Sequence, residues 1–197
     1  MTPTVERIGA IVLAGGRSRR FGRDKLIEPI DGRPMLHHAL DIVRGIGSEV
    51  VVVAAPGAMP GLPTGVRLAH DTQSFEGPLA GLVAGLAALD ASVERVIVVG
   101  GDMPSLVPAV LRRLLSELAT HEAAVLADAG GPRPLPLAVR RTRAGPAADR
   151  LIAGGERRLR ALLVELETSV IPRAVWQRDD PERATLRDVD SPADLPS

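Results

Sequence analysis

The sequence predicts a three-layer α/β/α fold, in which helices cover both faces of a mostly parallel β-sheet. Apolar β-branched runs alternate with helical patterns from the N-terminus to about residue 120, which is typical of this class. Apolar residues make up 45% of the 197 residues, and Phe21, Phe75 and Trp176 are the only aromatic ones. Such an aliphatic core suits buried parallel strands. The length suits one α/β domain, residues 1–197.

The first half of the chain begins with a buried strand at residues 8–13 (IGAIVL), a continuous apolar run. A glycine-rich loop follows at 14–24. Residues 34–47 carry apolar side chains at positions i, i+3, i+4 and i+7 and end on a glycine, which predicts a helix. Residues 49–55 (EVVVVAA) predict a second buried strand, residues 56–65 a Pro/Gly-rich loop, and residues 66–69 a short strand.

The second half continues the alternation. Residues 78–89 predict a helix of small residues with proline in its first turn, and residues 95–99 (RVIVV) predict a strand. Leucine-rich helical spacing covers 108–119 and 157–166. Strands are predicted at 123–127 and 135–139, around a Gly-Gly-Pro turn, and a weaker one at 170–175, interrupted by Pro172. Residues 177–187 read as a charged loop, and a short helix or turn begins at Asp190.

The segment LAGGRSRRFGRDK (residues 13–25) follows the first predicted strand. Its glycines allow backbone N–H groups to approach an anion, and five basic residues lie between Arg17 and Lys25. Lys25 is the only lysine among 24 basic residues. Backbone donors combined with mobile cations suit a triphosphate. Neither the P-loop pattern nor GxGxxG is present, which argues against P-loop NTPases and standard dehydrogenases. Composition alone would equally allow a solvated basic loop.

Two further polar clusters follow predicted strands, so all three should meet at one edge of the sheet. Asp71 is followed by EGPLAG, where Gly77 and Gly81 would let a base or ribose approach closely. Asp102 stands in GGDMP, and a carboxylate there can hold Mg²⁺, which prefers one or two carboxylates plus phosphate oxygens. Each cluster taken alone would also fit an ordinary turn or helix cap.

Two motifs nearer the C-terminus are candidates for a second substrate and for the metal. Arg157 and Arg158, in GGERR at a helix start, could receive an anionic acceptor. Asp188 and Asp190 alternate along an extended segment and could give the metal a second carboxylate. A glycine turn with solvated charges, and a plain helix cap, are the alternatives.

Several function classes are disfavoured. The chain has no cysteine, so disulfides and thiolate sites are excluded, and its four histidines show no zinc-site spacing. There is no GxSxG nucleophile motif. Zero net charge gives no attraction to nucleic acid or to acidic membranes. With no signal-peptide or membrane-spanning pattern, a cytoplasmic location is expected.

LAGGRSRRFGRDK resembles the signature of the nucleotidyltransferases that mature the molybdenum cofactor, a branch of the pyrophosphorylase-like transferases. GPLAG, GDMP, GERR and the terminal DSPADL follow in the family's order, so the resemblance spans residues 8–195. It implies a Rossmann-like sheet of the nucleotide-diphospho-sugar transferase type. LAGG with GPLAG is similar to the guanylyltransferase branch, and GERR implies molybdopterin as acceptor. The implied substrates are GTP and molybdopterin, with Mg²⁺ as cofactor and molybdoenzymes or their chaperones as candidate partners.

The resemblance also implies roles for individual residues. The guanine and ribose end would meet Leu13, Ala14 and Gly15. The phosphates would meet Gly16, Arg17 and Lys25, with Arg17, Arg19 and Lys25 stabilising the leaving pyrophosphate. Asp71 would help to hold the nucleotide, and Asp102 would bind the metal.

The sequence departs from the family pattern in three respects. Ala54 stands where an asparagine is usual, Arg133 replaces the histidine of a His-Pro pair, and Asp188 and Asp190 stand where asparagines are common. These departures leave the base and the acceptor open. The alternatives are a cytidylyltransferase, transfer to another small phosphate, and a non-catalytic carrier that binds nucleotide or cofactor.

Overall fold

A computed structural model describes residues 7–15, 25–58, 61–70, 77–187 and 189, and only the backbone of Lys25. The strands are β1 (Ile8–Leu13), β2 (Pro29–Ile30), β3 (Arg33–Pro34), β4 (Glu49–Ala54), β5 (Val66–His70), β6 (Arg95–Gly100), β7 (Ala123–Asp128), β8 (Gly131–Arg140) and β9 (Thr168–Ile171). The α-helices are α1 (Met35–Arg44), α2 (Pro78–Ala88), α3 (Pro108–Glu117), α4 (Arg141–Ala153), α5 (Leu159–Glu165) and α6 (Arg173–Trp176). Short 3₁₀ helices cover Lys25–Ile27 and Ala184–Leu186.

Seven strands form one sheet in the order β5-β4-β1-β6-β8-β7-β9. β5, β4, β1 and β6 are parallel to one another, and β9 is parallel to β7. β8 is the exception, because a short turn joins it to β7 and a short turn can connect only antiparallel neighbours. The predicted mostly parallel sheet is confirmed.

Helices cover both faces of the sheet, which makes three layers. Along β1, Ala10 and Val12 pack into the core on the side of α1 and α3, whereas Ile11 packs into the core on the side of α2, α4 and α5. All three side chains are fully buried. Successive side chains of a strand point to opposite faces, so burial on both faces explains why this run is continuously apolar.

Strands β2 and β3 form a hairpin between β1 and α1 that was not predicted from the sequence. Asp31 and Gly32 both have positive φ, +49° and +74°, which is the geometry of a two-residue type I′ turn. The Asp-Gly pair between Ile30 and Arg33 is the sequence signal for this turn. The hairpin matters for the site because it directly follows the segment that contains Lys25.

Helix α4 is also unpredicted, because Gly145 and Pro146 have the lowest helix propensities. Its buried face consists of Ala144, Ala147 and Ala148, at spacings of three and four residues. Small side chains let α4 pack closely against α2 and α5, and this tertiary packing outweighs local propensity.

The strand predicted at 170–175 is wrong beyond Ile171. Pro172 lacks an N–H for strand pairing, and the chain turns there into α6. Trp176 then lies fully buried, with its indole Nε1 donating to the carbonyl of Ala127 at 2.8 Å. Among the described helices, none is long and apolar enough to cross a membrane.

Candidate active site

The chain changes direction in the sheet between β1 and β6. After β1 it continues to β4 and β5 on one side, and it then returns to place β6 on the other side of β1. In open α/β sheets, ligands bind outside the carboxyl ends of the strands at such a switch point. The glycine-rich loop follows β1 and Asp102 follows β6, so the two leading predicted clusters flank this point.

Backbone hydrogen bonds join the two sides of the switch point. The N–H of Gly101 donates to the carbonyl of Leu13 at 2.9 Å, and the N–H of Ala14 donates to Val53 at 2.8 Å. These bonds hold the start of the glycine-rich loop against the ends of β6 and β4. A Cβ placed on Gly15 would meet no atom of the described residues within 4 Å, so this part of the structure leaves space at Gly15 for a ligand.

The carboxylate of Asp102 lies over the backbone of Gly100. A Cβ built on Gly100 would be only 2.4 Å from Oδ1 of Asp102 and 3.3 Å from Cγ of Met103. The N–H of Gly100 points at Sδ of Met103, 3.4 Å away. A glycine at the end of β6 therefore leaves the space in which the carboxylate rests.

Leu26, the residue after Lys25, packs against the same end of β6. A Cβ on Gly101 would be 3.2 Å from Cδ2 of Leu26, so the residue after Lys25 packs on the residue before Asp102. Leu26 is 8% exposed and belongs to the core between α1 and α3. This contact places the Lys25 backbone near Asp102, while its side chain lies outside the described part.

The start of α2 contacts the GERR motif directly. Gly77 has φ +92° and ψ 173°, a conformation that is essentially restricted to glycine. Its Cβ would lie 2.7 Å from the carbonyl oxygen of Arg157, and the N–H of Leu79 donates to that oxygen at 3.3 Å. Gly81 lies one turn further along, and a Cβ built on it would be 3.2 Å from Cδ2 of Leu13. Two motifs separated by about eighty residues therefore share one surface with the end of β1.

The predicted acceptor arginines are engaged within their own segment. Arg158 donates from Nε and Nη2 to the two carboxylate oxygens of Glu156, at 3.0 and 2.9 Å. That side-chain bond, together with the backbone N–H groups of Arg157 and Arg158, lowers the pKa of Glu156 to about 2. The guanidinium of Arg157 donates to the carbonyls of Ile152 and Glu156. Their predicted role toward the acceptor stays a prediction.

Val189, near the C-terminus, contacts Asp102 through a backbone hydrogen bond. The N–H of Val189 donates to the carbonyl of Asp102 at 3.1 Å, and the Val189 side chain is buried with Ile30 and Met35. This bond places Val189 beside the end of β6. In the sequence Val189 stands between Asp188 and Asp190, the two aspartates predicted as metal ligands. The contact of Val189 with Asp102 was not predicted from the sequence.

Several predicted residues fall outside the described part of the chain, namely Gly16, Arg17, Arg19, Asp71, Asp188 and Asp190. Asp71 directly follows His70, which lies beside the buried Ala54 at the ends of β5 and β4. The described residues contain no cluster of three or more Asp, Glu, His or Cys that could hold a metal. A site with one or two carboxylates still fits Mg²⁺, which keeps several waters and binds phosphate oxygens.

A cavity of about 330 Å³ opens beside Asp102 on the β8 side of the sheet. Its lining consists of Asp102, Met103, Arg133, Pro134, Leu135 and Arg160. Sequence reasoning did not assign a role to Arg133 or Arg160. The Arg-Pro pair at 133–134 was visible as a departure from the family pattern, whereas only the fold brings α5 and β8 together at the end of β6.

Comparison with known proteins identifies the family of the chain. Residues 10–170 match the family described as the MobA-like NTP transferase domain. A probable molybdenum cofactor guanylyltransferase from Chloroflexus aggregans is 34% identical over 200 residues, covering 98% of this chain and 94% of that protein. Another from Mycobacterium marinum is 34% identical over 193 residues, covering 96% and 92%.

A solved structure has a similar fold. Molybdopterin-guanine dinucleotide biosynthesis protein A from Archaeoglobus fulgidus superposes with a TM-score of 0.76 and 22% identity, over 95% of this chain and 94% of that one. The resemblance of the glycine-rich signature to the molybdenum-cofactor nucleotidyltransferases is thus confirmed by sequence and by fold. The chain belongs to the family of MobA-like NTP transferases.

Proposed function

We propose that this protein transfers GMP from GTP to molybdopterin and releases pyrophosphate. The observation that carries the proposal is the 2.9 Å hydrogen bond from Gly101 to Leu13, which holds the start of the glycine-rich loop against the segment of Asp102. The relatives from Chloroflexus aggregans and Mycobacterium marinum, which carry the guanylyltransferase name, support the choice of substrates.

The proposed reaction is a single displacement at phosphorus. An oxygen of the acceptor phosphate attacks the α-phosphorus of GTP and forms a new P–O bond. The bond from the α-phosphorus to the bridging oxygen breaks, and pyrophosphate leaves with that electron pair. A phosphate monoester is largely ionised near neutral pH, so the protein needs no general base. Positioning and charge neutralisation supply the rate enhancement.

In this scheme the residues at the switch point hold the nucleotide. The nucleoside end would be held by Leu13, Ala14, Gly15, Asp71, Gly77 and Gly81. The triphosphate would meet Gly16 and the cations Arg17, Arg19 and Lys25, which stabilise the charge that develops on pyrophosphate. Support comes from the open space at Gly15 and from the packing of Gly81 on Leu13.

Asp102 is the proposed protein ligand of Mg²⁺, with Asp188 or Asp190 as a second carboxylate. The hydrogen bond from Val189 to Asp102 supports this pairing, because Val189 lies beside the end of β6 and stands between the two aspartates in the sequence. Bound Mg²⁺ would neutralise charge on the phosphate oxygens of GTP. Arg157 and Arg158 remain the acceptor-binding residues predicted from sequence.

The test measures pyrophosphate release with Mg²⁺ and molybdopterin, using GTP, CTP, ATP and UTP in turn. We expect GTP to have the highest kcat/KM. A preference for CTP would show a cytidylyltransferase instead. GTP binding without pyrophosphate release, with molybdopterin or with other small phosphates, would show a carrier and refute the proposed reaction.

Variants test the two groups that the mechanism needs. Lys25→Ala and Asp102→Ala should each lower kcat at least about 100-fold, the scale of losing one preorganised electrostatic group. Asp149→Ala removes an exposed carboxylate on α4 and is the control, with activity expected to be unchanged. Near-normal activity of either site variant would contradict the role given to that residue.

A further inference from the structure

We propose that Arg133 and Arg160 bind the phosphate of the acceptor in the cavity beside Asp102. The inference rests on the proposed function, which it makes specific at the level of the second substrate. It assigns a phosphate monoester with a flat ring system as the ligand of this cavity. The pair is distinct from Arg157 and Arg158.

The cavity lies on the opposite side of Asp102 from the end of β1, where the glycine-rich loop begins. β6, which ends just before Asp102, stands between β1 and β8 in the sheet. The loop follows β1, whereas Arg133 lies on β8 and Arg160 on the neighbouring α5. Asp102 therefore separates a nucleotide side from a second side that has its own cations.

Displacement at phosphorus needs this two-sided geometry. The attacking and leaving oxygens lie roughly in line on opposite sides of the phosphorus. If the basic loop after β1 stabilises the leaving pyrophosphate, the attacking phosphate has to arrive from the other side of the α-phosphorus. Among the described residues, the cavity with Arg133 and Arg160 lies on that side, at the start of β8.

Both guanidinium groups are tied to the turn that joins β7 and β8. Nη2 of Arg160 donates to the carbonyl of Pro132 at 3.1 Å, and Nη1 of Arg133 lies 3.5 Å from a carboxylate oxygen of Asp128. A guanidinium has five N–H donors, so one such bond orients the Arg160 group and leaves donors for a ligand. Arginine forks match the geometry of phosphate oxygens.

Apart from the two arginines and Asp102, the described lining of the cavity is apolar. Met103, Pro134 and Leu135 form the wall beside the two arginines. Pockets for small organic ligands combine such apolar walls with a few placed polar groups, and the volume of about 330 Å³ is in their range. A wall of this kind suits a ring system, and the arginines suit the phosphate that it carries.

Arg157 and Arg158 are less suited to the attacking phosphate. Arg158 already forms a two-point pair with the Glu156 carboxylate, and binding a phosphate there would require breaking that pair. Arg157 donates to two carbonyl groups, and neither residue lines the cavity beside Asp102. The structure thus favours the pair on β8 and α5.

The experiment measures KM for molybdopterin and KM for GTP separately in Arg133→Ala and Arg160→Ala. Loss of one charge-assisted contact should raise KM for molybdopterin about 10-fold to 100-fold, with KM for GTP within about twofold of wild type. Binding of molybdopterin without GTP or metal, followed by fluorescence, should weaken by a similar factor. Arg160→Lys should recover part of the loss, because it restores charge without the fork.

Arg143→Ala is the control, because Arg143 begins α4 at the opposite edge of the sheet and pairs with Glu122 on the surface. The inference is overturned if both site variants leave KM and binding of molybdopterin unchanged, or if only Arg158→Ala changes them. Loss of GTP affinity to the same extent as molybdopterin affinity would also overturn it. If the wild type binds molybdopterin through these arginines but releases no pyrophosphate, the inference stands and the proposed reaction fails.

Discussion

Replacing Gly100 by alanine would move the Asp102 carboxylate without removing it. The new methyl group would stand 2.4 Å from Oδ1 of Asp102, whereas ordinary contacts begin at 3.4 Å. The carboxylate would have to retreat by the difference, 3.4 − 2.4 = 1.0 Å. It is the far end of a side chain, so it can retreat without disturbing the sheet.

The expected effect therefore falls on catalysis more than on stability. A displacement of 1 Å at a reacting centre costs about 100-fold in rate. We expect Gly100→Ala to lower kcat by about that factor while Tm changes by less than about 4 °C, which is the shift expected from about 1 kcal/mol in a domain of this size.

The assay combines pyrophosphate release at saturating GTP and molybdopterin with thermal unfolding of the same preparations. Gly130→Ala is the matched control, because this glycine also lies at the carboxyl edge of the sheet and its Cβ would meet nothing nearer than 3.4 Å. Wild-type kcat in Gly100→Ala would refute the reasoning, since it would show that the position of the Asp102 carboxylate does not govern the rate. A large fall in Tm would instead assign the effect to folding.

Two further predictions concern the GPLAG and GERR motifs. Gly77→Ala should lower the free energy of unfolding by about 1–3 kcal/mol, because alanine is strained at φ +92° and would collide with the carbonyl of Arg157. Gly81→Ala should cost less, because its Cβ would meet the ends of the Leu13 and Val53 side chains and no backbone atom among the nearest contacts. Equal Tm values for the two variants would contradict this. The pKa of Glu156 is about 2 in the folded protein against an ordinary 4.5, so its stabilisation is present above pH 4.5 and is lost as pH falls toward 2. Between pH 6 and pH 3 the Tm of the wild type should therefore fall further than the Tm of Glu156→Gln. Parallel curves of Tm against pH would show that the ion pair contributes nothing to stability.

Local patterns were sufficient for much of the fold. β1, β4 and β6 are predicted within one residue at each end because buried parallel strands must be apolar on both faces. Local patterns were insufficient where packing outweighs helix propensity, as in α4. Its glycine and proline argue against a helix, but its alanine face packs against α2 and α5 and stabilises it.

The sequence by itself determined the fold class and the family, because strand periodicity and the glycine-rich signature are local properties of the chain. It also supplied the residues that we propose to carry the chemistry. Only the tertiary structure decided which of these residues meet. The order of the sheet sets Leu13 against Gly101, and Gly77 against Arg157. It also brings Arg133 and Arg160, which lie 27 positions apart in the chain, to one cavity beside Asp102. Spacing along the chain does not predict such contacts, because they depend on the order of the strands in the sheet and on how the helices pack over it.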